Sequence, residues 1–149
     1  MRKFDFRLEP LLKFRKLHEE NAQTKAAQAT GVYLKELEAE TRLREQLQTA
    51  FASFRDSQLS GMTIDNLKSF SWFIDKINGD LLNQMEKVRL AEAKRLDALK
   101  KLEEAVKNRK LVDKLKERRW QEYQLELLNA EQKVLDEIGT QQYYKMQAR

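Results

Sequence analysis

The sequence predicts an all-α protein, a long antiparallel two-helix coiled-coil hairpin whose C-terminal helix overhangs its partner. Three observations carry that expectation. The 149 residues include only 4 Gly and 1 Pro, so chain reversals are few. Charged residues make up 36%, and with Ala, Leu and Gln they favour helix at nearly every position. Apolar residues recur in steps of three and four along most of the chain, as one side of a helix requires. A mean hydropathy of -0.78 with 41% hydrophobic residues suits the narrow seam between two helices and not a thick core. The expectation is one coiled-coil domain over residues 1–149, with helices at about 8–57 and 63–148 and a turn at about 58–62.

The first helix is expected to begin near Leu8. Pro10 suits a first turn, where its missing N–H costs nothing, and Glu9 places negative charge at the positive end of the helix dipole. Its seam starts with Leu8 and Leu11, passes through Ala22, Ala26 and Ala29, and ends in bulky Leu47, Phe51 and Phe54. Alanines allow close approach but bury little area, so the C-terminal end of this arm should hold most firmly.

The reversal is expected where Ser57, Ser60 and Gly61 cluster without helical period. Thr63 then caps the next helix, with Asp65 in its first turn. The second helix carries Phe70, Ile74, Ile77, Leu81, Met85 and Val88, then Leu96, Leu99, Leu102 and Val106. Asn78-Gly79 is its weak point, worth on the order of 1 kcal/mol against Ala, and a kink there is the alternative to the continuous helix preferred here.

At 1.5 Å per residue the first arm is about 75 Å long and the second roughly 130 Å. Pairing them about Gly61 sets Leu8 near Val112 to Leu115 and leaves the stripe Trp120, Tyr123, Leu127, Ala130, Val134 and Ile138 without a partner helix. A long isolated helix is marginal in water, so another surface is expected to cover this stripe.

No catalytic residue is identified. His18 is the only histidine and there is no Cys, so neither nucleophilic chemistry nor a metal centre has a site, and no cofactor is implied. Net charge is +5, yet Lys94 to Arg119 alone holds eleven Lys or Arg against five Asp or Glu. Interspersed acids make this stretch read as a solvated face or a weak, non-specific nucleic-acid contact, without any specific nucleic-acid motif. The segment Met1 to Lys16 is basic and apolar, but Asp5, Glu9 and Pro10 interrupt a membrane-surface pattern. With no apolar run of signal or transmembrane length, the sequence reads as cytoplasmic and soluble, with no integral membrane segment. Periodicity alone goes no further than a generic coiled-coil scaffold.

Two motifs go further. The run from Phe6 through Leu8-Glu9-Pro10-Leu11-Leu12 to Lys16, with Glu19, Glu20 and Ala22 following, resembles the opening of the flagellar export protein FliJ family. The run Glu131-Gln132-Lys133-Val134-Leu135-Asp136-Glu137 resembles that family's C-terminal Glu-x-Lys-x-x-Asp-Glu signature. Asn78-Gly79 departs from the simplest family pattern. The resemblance implies a non-enzymatic stalk, similar in form to the central stalk of rotary ATPases. It would link the hexameric export ATPase to the membrane export gate and escort export chaperones, at the cytoplasmic side of the membrane at the flagellar base. Leu8, Leu11, Leu12, Tyr123, Leu127, Val134 and Ile138 would then face the ATPase, with Glu131, Lys133, Asp136 and Glu137 as polar contacts. Phe54, Phe70, Trp72 and Phe73, near the reversal, would face the gate.

Overall fold

A computed structural model describes residues 3–149; the first two residues of the basic opening segment lie outside it. Among the described residues there are two helices, α1 (Glu9–Leu59) and α2 (Ile64–Gln147), packed against each other as an all-α hairpin with no strands. The chain divides into two compact units. One comprises the chain through Glu19 together with Ala105–Arg149, and the other is Glu20–Glu104.

The helix ends follow local chemistry. At the start of α1 the Leu8 carbonyl accepts the Leu12 N–H at 3.0 Å, and the Glu9 N–H is turned back to the Phe6 carbonyl at 2.9 Å. α1 stops because Gly61 takes φ +88°, a left-handed conformation that only glycine adopts cheaply. The Gly61 N–H reaches the Gln58 carbonyl at 3.4 Å, and the Ser60 hydroxyl donates to the Asp56 carbonyl at 2.9 Å, satisfying groups the helix leaves open. Thr63 caps α2 twice over. Its hydroxyl oxygen accepts the Asn66 N–H at 3.3 Å and its carbonyl accepts the Leu67 N–H at 3.1 Å. Gly61→Ala is expected to lower stability by about 1–2 kcal/mol, the cost of a side chain in the left-handed region. A urea-unfolding midpoint equal to that of the unmutated chain would contradict this account of the turn.

In the Glu20–Glu104 unit the contacts step down α1 as they step up α2. Phe54 meets Phe70, Glu36 meets Gln84 and Tyr33 meets Arg95, which is antiparallel pairing. Buried Ala22, Ala26 and Ala50 come from α1, and Ile77, Leu81 and Ala91 come from α2. One polar residue, Gln84, is buried in this seam. Its amide donates to the Glu36 carbonyl at 2.8 Å and to the Glu36 carboxylate at 2.5 Å, so its burial is compensated and the register has a polar marker.

α2 runs through Asn78-Gly79 without a break. A single Gly costs about 1 kcal/mol. Burial of Ile77 and Leu81 on either side outweighs it, at about 1.5–3 kcal/mol for each fully buried side chain.

Candidate functional site

The N-terminal segment packs on α2 in the unit formed by the chain through Glu19 and Ala105–Arg149. Leu12, Phe6 and Val112 form its core, and Phe4 packs against them. Two ion-pair contacts cross between the helices. Arg109 is held by Glu19 and, along its own helix, by Asp113 at 2.5 Å, with the Arg109 and Glu19 side chains largely covered. Lys116 reaches Glu9 at 2.8 Å at a more open position.

The Lys116 hydrogen bond holds the Glu9 carboxyl below its ordinary value of 4.5, against some loss of hydration. A lowered folded-state value means the pair stabilises the fold above the ordinary value, and the contribution disappears as pH falls through the lowered one. Glu9→Gln is therefore expected to be less stable than the unmutated chain at pH 7, with the two urea midpoints converging below pH ~4.5. A gap as large at pH 3 as at pH 7 would contradict this.

The sequence pattern sets the start of the uncovered stripe at Trp120, and there the structure adds Phe4, which packs against Trp120 while leaving it 42% exposed. Phe4 lies edge-on to Trp120, with centroids 5.0 Å apart, and 5.5 Å from Tyr123, while Trp120 and Tyr123 stack on each other at 5.6 Å. The physical reason is chain reach. Residues 3–6 are not helical, and a non-helical residue advances up to about 3.3 Å against 1.5 Å in a helix, so a few residues ahead of α1 cover a further turn of α2. The overhang remains beyond that point. Leu127 is partly covered, and every residue of α2 from Leu128 onward is exposed.

Along the overhang Tyr123, Leu127, Ala130 and Val134 line an apolar groove bordered by Glu126 and Glu131. Ile138 continues the stripe one turn on. At 100° per residue, Glu131 and Glu137 fall about 60° to either side of the stripe, Lys133 about 100° away and Asp136 about 160° away. Of the four motif residues, two flank the seam and Asp136 lies on the back of the helix. Glu126, which sequence reasoning did not single out, completes the acidic border. The signal for it was its spacing of three from Tyr123. Of the three N-terminal leucines, Leu12 is 1% exposed and belongs to the core, whereas Leu8 and Leu11 keep an exposed edge.

The aromatic residues near the reversal divide in two. Phe54 stacks on Phe70 at 4.1 Å between centroids, and Phe51 meets Phe70 edge-on at 6.0 Å, joining the arms. Trp72 is 67% exposed, with the Lys76 ammonium 5.5 Å from its ring centroid, and Phe73 is exposed beside an open trough bordered by Arg42, Glu45 and Thr49. Trp72 and Phe73 are adjacent on a helix, so one seam cannot bury both.

Among the described residues no group of three or more His, Cys, Asp or Glu is placed to hold a metal ion, and no helix is long and apolar enough to cross a membrane. What the arrangement offers is two apolar surfaces for other macromolecules, one of them bordered by acids.

A search of curated proteins gives no match. A solved structure described as a YscO homologue, CT670, from Chlamydia trachomatis shares 22% identity at a TM-score of 0.47, covering 99% of this chain and 99% of that one. The family described as Flagellar FliJ protein matches residues 4–148, and the chain belongs to that family of flagellar export components.

Proposed function

We propose that this chain is the non-enzymatic stalk of the flagellar type III export apparatus. It links the hexameric cytoplasmic ATPase to the membrane export gate and escorts unladen export chaperones. In this role it is cytoplasmic, peripherally associated with the membrane at the flagellar base, and serves motility. The observation that carries the reading is the stripe through Leu127, Val134 and Ile138, apolar, exposed beyond Leu127 and bordered by Glu126, Glu131 and Glu137. Such a surface fits a partner with apolar side chains and basic groups at its rim. Family membership supports the export ATPase as that partner.

The direct test adds the purified chain to the export ATPase and follows ring assembly and ATP hydrolysis. Both rise if the reading holds, and a chain that neither binds nor changes hydrolysis contradicts it.

The exposed Trp72 and Phe73, with Phe54 and Phe70 behind them, are the surface proposed for the gate. Trp72→Ala is expected to change unfolding stability by no more than about 0.5 kcal/mol, as for other exposed positions. Binding to the gate protein should fall at least tenfold. Lost stability with retained binding would make Trp72 part of the hairpin's own lock.

A further inference from the structure

The overhang has a second face. Leu111, Leu125 and Leu128 stand on the side of α2 turned away from the seam, and Leu135 stands between that side and the groove it also lines, each 60–68% exposed. With Lys114, Arg118, Gln121, Gln132, Gly139 and Gln142 they fall at alternating steps of three and four from 111 to 142, the heptad spacing of a coiled-coil seam. This is the face opposite the Val112 and Tyr123 side that meets the N-terminal segment.

We propose that this back face pairs with a second copy of the chain as an antiparallel, two-fold symmetric dimer centred between Leu125 and Leu128. The ordering of residues along the face selects that occupant. A two-fold axis between residues 126 and 127 sets Leu125 against Leu128 of the other copy, and Leu128 against Leu125, which makes a closed apolar centre. The next layer outward on each side pairs Gln121 with Gln132, two side chains that each donate and accept hydrogen bonds. Beyond it Leu135 lies along the stem of Arg118, whose guanidinium then comes beside Asp136 of the same partner segment. Arg118 is free to turn that way, since its ion pair with Glu122 spans 3.7 Å at an exposed position. Apolar centre, amide layer and charged rim follow the usual order of a specific interface.

Other registers fare worse. A parallel pair in register sets Glu131 diagonally against Asp136 of the other copy, a like-charge contact at the flank of the seam. The antiparallel overlap from 111 to 142 is about 48 Å of helix, enough for each partner to bury an area on the order of the ~800 Å² per side of specific complexes. Leu135 borders both surfaces, while Tyr123, Leu127, Ala130 and Val134 of the acid-bordered groove face away from the second copy, and the test of the pairing involves no ATPase.

The chain has no cysteine, which makes the test clean. Sedimentation equilibrium of the full chain at ~100 μM should show a mass approaching twice 17.7 kDa, and Leu128→Asp should return it to 17.7 kDa with unchanged helicity by circular dichroism. A Gln121→Cys chain mixed with a Gln132→Cys chain under mild oxidation should give the mixed disulfide in several-fold excess over either homodisulfide. A mass of 17.7 kDa for the unmutated chain at that concentration overturns the proposal. So does a Gln132→Cys homodisulfide in excess, which indicates parallel pairing.

Discussion

Replacing Leu12 by alanine is expected to lower stability by about 2–5 kcal/mol, the range for removing a fully buried leucine and leaving a cavity. Among the described residues Leu12 is the one large side chain that is fully buried, in a core whose other members are Phe6, Val112 and the adjoining Phe4. A two-helix unit has few other side chains to close over the gap. The loss should be concentrated in the unit that holds the termini. Hydrogen exchange of residues 9–19 should accelerate, and the Trp120 environment should become more polar as Phe4 leaves it. Leu82→Ala is the control, because Leu82 is 68% exposed and exposed substitutions usually stay within about 0.5 kcal/mol. Equal effects at the two positions would mean that the termini are not held by this core.

The triple substitution Leu127→Ser, Val134→Ser and Ile138→Ser has the opposite signature. Val134 and Ile138 are exposed and Leu127 only partly covered, so stability is expected to fall by no more than about 1 kcal/mol, chiefly through the partial burial and helix propensity lost at Leu127. Binding to the export ATPase should fall by more than 100-fold. Full burial of such a side chain is worth about 1.5–3 kcal/mol, and every 1.4 kcal/mol is a factor of ten in affinity. Circular dichroism and a binding titration on the same preparation separate the two effects. Retained affinity would remove the seam from the ATPase interface.

Much of this fold could be read from residue order because its determinants are local. Pro10, Gly61 and Thr63 mark helix ends through backbone chemistry that acts within a few residues, and the three-and-four spacing marks the seam. What escaped was the part that depends on residues far apart in sequence. Phe4 covers Trp120 and Tyr123 because the segment before α1 is not helical, and helix arithmetic applied to both arms could not supply that reach. The partners of Glu9 and Arg109 likewise needed the register between helices, which a long seam of alanine specifies only weakly.

The site was legible to a similar degree. The period sets residues 127, 134 and 138 on one stripe, and in the structure that stripe is half-buried at Leu127 and exposed at Val134 and Ile138. The short charged motif named four positions without regard to face. Resolving the helix sets Glu131 and Glu137 beside the stripe, adds Glu126 and turns Asp136 to the back. Near the reversal, sequence alone could say that adjacent Trp72 and Phe73 cannot share one seam, but not that Phe70 is the ring that stacks on Phe54.

The most direct test of the central claim is photo-crosslinking from single positions to the export ATPase. A crosslinking residue at Val134, on the acid-bordered stripe, should yield a covalent adduct with the ATPase that depends on ring assembly. The same residue at Leu82, more exposed to solvent than Val134 but in the Glu20–Glu104 unit, should yield none. Adducts from Leu82 and none from Val134 would contradict the assignment of the C-terminal seam to the ATPase.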